Sequence, residues 1–361
     1  MSIALISRRV AVAAAFLVAG LFGASADEAK FEAALDKAIE AVIVPNHQSF
    51  AENAVGMVDP VQALCAAPSA DALETARERF KSTTIAWSRV EMFRFGPARE
   101  ENRFEKLFYW PDRKGRGLKQ VQRILANEDE TARTGQTLSG KSVAVQGLPA
   151  LEFVLFGTGS DDLAGGAAYR CDYAIALTEV IAANAAALVA GWSEIGGYGD
   201  LMRTAGSATS PYRSHSEAVQ DLIKAASEQL QIVGDMKVSA AIGDEVAKAK
   251  PRRSPFFRAQ MTSATIVANL DAVEALFVSS INDLLPEDDA RYAGTLSSEL
   301  DQARKRLSGL DPDWETVAAS EDGHASLRAL RFPLGGAVRL ASEVYPATLG
   351  LTLGFNSLDG D

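Results

Sequence analysis

Apolar residues recur every three to four positions along long stretches of this chain, with no convincing run that alternates as strand residues do. That period confines the chain to an all-α fold. It is clearest from Asp71 to Phe95, where Leu73, Ala76, Phe80, Thr83, Trp87 and Val90 share one face before Gly96-Pro97 ends the helix. Further helices are expected over Asp27 to Met57, Gly117 to Asn127, Pro149 to Phe156 and Tyr169 to Trp192, with Pro45 bending the first rather than ending it. A turn-rich passage from Gly196 to Arg213 separates these from a second set over Ser214 to Ala249, Arg258 to Leu284, Asp289 to Leu307 and Ser326 to Tyr345. Four long helices make a minimal bundle. The expectation is therefore two packed helical bundles, residues 27–205 and 206–361.

Residues 1–26 read as a signal peptide. Ser7-Arg8-Arg9 precedes an apolar run from Val10 to Gly23, and Ala24-Ser25-Ala26 supplies a small-x-small cleavage site. The run has 14 residues, short of the ~20 that a spanning helix needs, so no transmembrane segment is expected after cleavage. This places the mature chain in a periplasm. Losing Arg8 and Arg9 takes the net charge from −11 to −13, and a body that acidic repels phosphate backbones, which makes nucleic acid a poor partner. In an oxidising compartment Cys65 and Cys171 can pair across an enclosed loop of 105 residues, worth about 4 to 5 kcal/mol in the chain-entropy model. Two buried thiols or two metal ligands are the alternatives.

The chain has three scattered histidines, His47, His215 and His324, and no HExxH spacing, nucleophile elbow, P-loop or dinucleotide fingerprint. More informative is VQGLPALEFVLFG, Val145 to Gly157, in which a single acid, Glu152, stands in an apolar helix start. Either the helix dipole favours that anion, or the carboxylate has a function, since a buried charge must find a cation, donors or a ligand. A second constellation is Trp87, Glu91 and Arg94, at i, i+4 and i+7 beside the core stripe. Glu91 and Arg94 form a helix ion pair, or Arg94 neutralises Glu152 or a ligand.

Taken together, AWSRVEMFRFGPA, NRFEKLFYWPDRKGRGLKQVQ, VQGLPALEFVLFG and LGLTLGFNSLDGD resemble the imelysin family of insulin-cleaving membrane protease-like proteins over nearly the whole mature chain. The resemblance implies two packed helical bundles, a protein exported to the periplasm or the outer-membrane surface and linked with iron uptake or iron regulation, and a site in the cleft between bundles around a GxHxxE motif. Gly147 and Glu152 match the motif's Gly and Glu, but Pro149 stands where its His belongs. Proline offers no donor atom. The expectation is therefore a non-catalytic protein that binds a ligand or partner at the cleft through Glu152, Glu91, Arg94, Trp87 and Gly147. Iron or zinc is the candidate cofactor, with Glu152 the only ligand the motif supplies, and an envelope protein or iron-uptake component is the candidate partner. A metal-dependent peptidase and a structural component of an envelope complex are the alternatives.

Overall fold

The structure, a computed structural model, describes residues 27–353; residues 1–26, where the signal peptide is expected, and the closing residues from Gly354 lie outside the described residues. Every regular element among them is helical. The first helix runs over 27–38, passes through a π-helical stretch at Ile39–Ile43 and continues as Val44–Val55. Pro45 thus bends the helix without ending it. A proline ring collides with the carbonyl four residues back, here that of Ala41, and the wider π turn opens the backbone at that residue. The same device recurs at the other end of the chain, where the π stretch Leu340–Val344 precedes Pro346.

One bundle packs this first helix, Val58–Ala66, Ala70–Val90 and Ala168–Ser193 together. Ser69 caps the third of these through the Ala72 N–H, and the predicted stripe from Leu73 to Val90 is buried. That helix ends at Val90 rather than Phe95. Glu91, Met92 and Phe93 are all buried as well, and the chain turns there to bury them together, which a helix with one buried face does not do. The Cys65–Cys171 disulfide ties Val58–Ala66 to Ala168–Ser193.

The other bundle is built from His215–Gln231 with its π-helical continuation Ile232–Ser239, Thr262–Ser279, Arg291–Ser308 and Arg331–Arg339. The two bundles meet where Ala70–Val90 packs along Thr262–Ser279, and a single apolar core runs through both. Ala168–Arg203 and Thr262–Leu284 are apolar and long enough to cross a membrane by composition, yet each packs against other helices of its bundle.

Two further expectations need correction. The passage from Gly196 to Arg213 contains a helix, Tyr198–Arg203, and is pinned to both halves. Tyr198 packs on Phe95 and Trp192, its hydroxyl donates to that of Tyr212, and Tyr212 donates to Asp221 at 3.0 Å. The helix expected from Arg258 starts only at Thr262, because residues 254–261 form a loop with Phe256 and Gln260 at φ +56°.

Candidate functional site between the bundles

The helix Leu148–Phe156 begins where Gly147 lies against another segment's backbone. A Cβ there would stand 2.3 Å from the Leu107 carbonyl oxygen and 2.4 Å from that of Lys106, so only glycine lets the helix start at this depth. Pro149 and Glu152, three apart, then both face a cavity of about 770 Å³. Glu152 is 3% exposed. Its Oε1 accepts hydrogen bonds from the backbone N–H groups of Arg258 (2.8 Å) and Ala259 (3.2 Å), and its Oε2 lies 3.7 Å from Arg258 Nη1. Burial pushes the carboxyl pKa up; the Arg258 charge and the two N–H bonds oppose it without cancelling it.

Glu152 therefore anchors the loop that carries the two left-handed residues. A phenylalanine at positive φ is strained by about 1 to 3 kcal/mol and persists only when its surroundings hold it. Phe256 is held by stacking on Phe108 and edge contact with Phe80, while Ser254 donates to the Lys237 carbonyl and Thr262 to that of Pro255. Trp110 Nε1 fastens the start of the loop by donating to the Arg253 carbonyl at 3.0 Å. The cavity lies between the bundles, with Tyr109, Trp110 and Phe153 on one side and Phe257 and Arg258 on the other. Arg258 stacks over the Phe257 ring, 4.3 Å from its centroid.

Below this loop, at the seam, is a second polar group. Glu91 and Lys237 are fully buried; Lys237 Nζ donates to Glu91 Oε2 at 2.6 Å and to Asn269 Oδ1 at 2.7 Å. Asn269 Nδ2 donates to the same Oε2 at 3.1 Å, and Arg94 Nη2 to Oε1 at 3.0 Å. Burial works against the Glu91 carboxylate, but Lys237 and Arg94 outweigh it and hold its pKa below the usual range. Burial likewise lowers the Lys237 pKa, with Glu91 opposing. The expected Glu91–Arg94 pair is thus present, but Arg94 does not serve Glu152; Arg258 does. Trp87 is a core residue, packed on Phe50, Phe104 and Phe108. The sequence does not single out Lys237 as it does Glu152, because the run that holds it, IVGDMKVSAAI, also carries Asp235, so its charge does not stand alone.

The family model described as imelysin, peptidase family M75, matches residues 43–331. The chain belongs to the imelysin family. Iron-regulated protein A of Synechococcus elongatus is a relative, 24% identical over 302 residues that cover 80% of this chain and 78% of that protein. In structure the chain resembles an imelysin-like protein from Psychrobacter arcticum 273-4, with a TM-score of 0.75, 20% identity, and coverage of 91% of this chain and 98% of the other. It also resembles a protein assigned as an iron-regulated protein A precursor from Parabacteroides distasonis, with a TM-score of 0.62, 14% identity, and coverage of 87% and 94%. These two likenesses establish the imelysin fold.

A peptidase metal such as zinc needs about three protein donors around an open position. Glu152 has no such company. Pro149 replaces the motif histidine, no histidine lines the cavity, and among the described residues no three His, Cys, Asp or Glu side chains converge. His47 is buried between Phe93 and Trp192 with Nδ1 donating to the Ile43 carbonyl at 2.7 Å. His215 sits between Glu28 and the Arg203 carbonyl, and His324 Nε2 donates to the Ile242 carbonyl. The residues at this imelysin cleft do not fit a bound zinc or iron ion.

Proposed function

We propose that this imelysin-family protein is exported to the periplasm, binds a ligand in the cavity between its bundles without cleaving peptides, and serves an envelope system connected with iron. The observation that carries the reading is the state of Glu152. One of its oxygens is committed to two backbone N–H groups, and the neighbouring motif position is a proline. A carboxylate so engaged is poorly placed to ligate a metal or to take a proton from water. The link with iron rests on the relative named iron-regulated protein A, and export rests on the leader-like residues 1–26 together with the disulfide. The cavity is open and lined with charge, which favours a ligand site over a purely structural docking role.

Isothermal titration with Zn²⁺ and Fe²⁺ beside a chelator-controlled peptidase assay tests this reading. Weak metal binding and no chelator-sensitive cleavage are expected. Tight binding lost in Glu152→Gln, together with chelator-sensitive cleavage, would transfer the assignment to a metallopeptidase. Intact mass of protein recovered from a periplasmic fraction should correspond to a chain that starts at Asp27.

A further inference from the structure

Four carboxylates and four arginines line the cavity, so its wall is balanced in formal charge. Their engagements are not balanced. Asp112 accepts from the backbone N–H groups of Arg116 and Leu118, at 2.8 and 3.0 Å. Asp313 accepts from the Glu315 N–H and the Thr316 hydroxyl, Glu315 pairs with Arg252, and Glu152 anchors the Arg258 loop. Every acid is thus held by the protein's own donors. Arg252 and Arg258 are matched by those acids, but Arg113 and Arg253 are exposed and, among the described residues, have no ion-pair or side-chain hydrogen-bond partner. Lys114 and Arg116 lie exposed next to Arg113. In a mature chain of net charge −13, this leaves a local excess of uncommitted positive charge at one cavity.

A guanidinium presents a planar fork of donors that matches a carboxylate or phosphate, and its field is strengthened where low-dielectric walls focus it. The walls here are partly aromatic: Tyr109, Trp110 and Phe257 line the cavity half-buried, Phe257 with Arg258 over one face. We propose, on the reading that this cavity is the binding site, that its ligand is a small organic anion with a planar apolar body. The acidic group is taken by Arg113 and Arg253, and the body lies against the rings. A cavity of about 770 Å³ accommodates a molecule of cofactor or drug size.

Naphthoate and its neutral counterpart naphthylmethanol serve as probes in isothermal titration of the mature protein, because they differ chiefly in charge. Naphthoate is expected to bind the more tightly, with affinity that falls as salt rises. The Arg113→Gln/Arg253→Gln double variant should weaken naphthoate by about tenfold or more and leave naphthylmethanol unchanged. Both side chains are exposed, so the fold should survive, which an unchanged thermal midpoint verifies. Arg79→Gln/Arg306→Gln, at two exposed residues outside the cavity, removes the same number of charges, is the control for net charge and should bind as wild type does. Equal binding of the two probes overturns anion recognition and leaves the cavity reading standing, as does naphthoate affinity unchanged in the double variant. If neither probe binds at millimolar concentration, both the anion proposal and the cavity reading fall.

Discussion

A lysine cut off from solvent keeps its charge only beside an acid that is equally enclosed, and Lys237 has that acid in Glu91. Replacing Glu91 by Gln preserves shape but leaves a buried ammonium with neutral acceptors. The expected loss of stability is roughly 3 to 5 kcal/mol, much of it restored when Lys237→Met is added. A denaturant double-mutant cycle checks this, and a coupling energy below about 1 kcal/mol would show that the pair is not desolvated. His47 allows a prediction in pH. Loss of water around its ring lowers its pKa to about 4, against the Ile43 carbonyl, which raises it. The unfolded chain, with an ordinary pKa near 6.5, takes up the proton first as the pH falls. The stability owed to the neutral ring is therefore whole above pH ~6.5 and lost on descending toward ~4, about 3 kcal/mol in all. Glu152, with its raised pKa, acts in the opposite sense, so the informative quantity is the difference between wild type and His47→Gln at pH 7 and pH 4. That difference should shrink or reverse by about 3 kcal/mol on acidification; a constant difference would mean that His47 does not titrate with unfolding.

Among elements, the helix Leu148–Phe156 depends most visibly on one residue. A methyl group on Gly147 would meet two backbone carbonyls that cannot swing aside, so Gly147→Ala must push the helix start outward and carry Pro149 and Glu152 with it. A loss of about 1 to 3 kcal/mol is expected. Gly294 is the contrasting case. It is exposed within Arg291–Ser308 with open space where a Cβ would go, and Gly294→Ala should stabilise by about 0.5 to 1 kcal/mol. Thermal unfolding of the two variants measures both; equal shifts of the same sign would remove close packing as the reason for glycine at 147. The limits of most helices were readable because caps, prolines and glycines act within a few residues. The start of the helix that follows the cavity loop, Thr262 instead of Arg258, was not. The Ser254–Met261 segment has the composition of a helix start, and only the stacking of Phe256 on Phe108 and the hold of Glu152 keep it in a loop.

At the scale of the molecule the bundles are joined more closely than a linker would join them. Ser280 donates to the Ala34 carbonyl at 2.6 Å and Lys37 pairs with Asp283, so the first helix also touches the second half. With one apolar core running through both bundles, urea unfolding is expected as a single transition reported alike by tryptophan fluorescence and helical circular dichroism. Two separated transitions would show that the bundles fold independently.

What the amino-acid sequence determined by itself was everything carried by short-range pattern: the all-helical class, the position of most helices, the proline bend, and Glu152 as a charge out of place. Which groups answer the buried charges was decided only in three dimensions. Glu152 is served by residues 106 and 107 positions away, and Glu91 by a lysine 146 away. A helical period is imposed by 3.6 residues per turn and is legible in any window of a few turns. The partner of a buried charge depends instead on which helices pack and at what depth, and that is settled by the fit of the whole core.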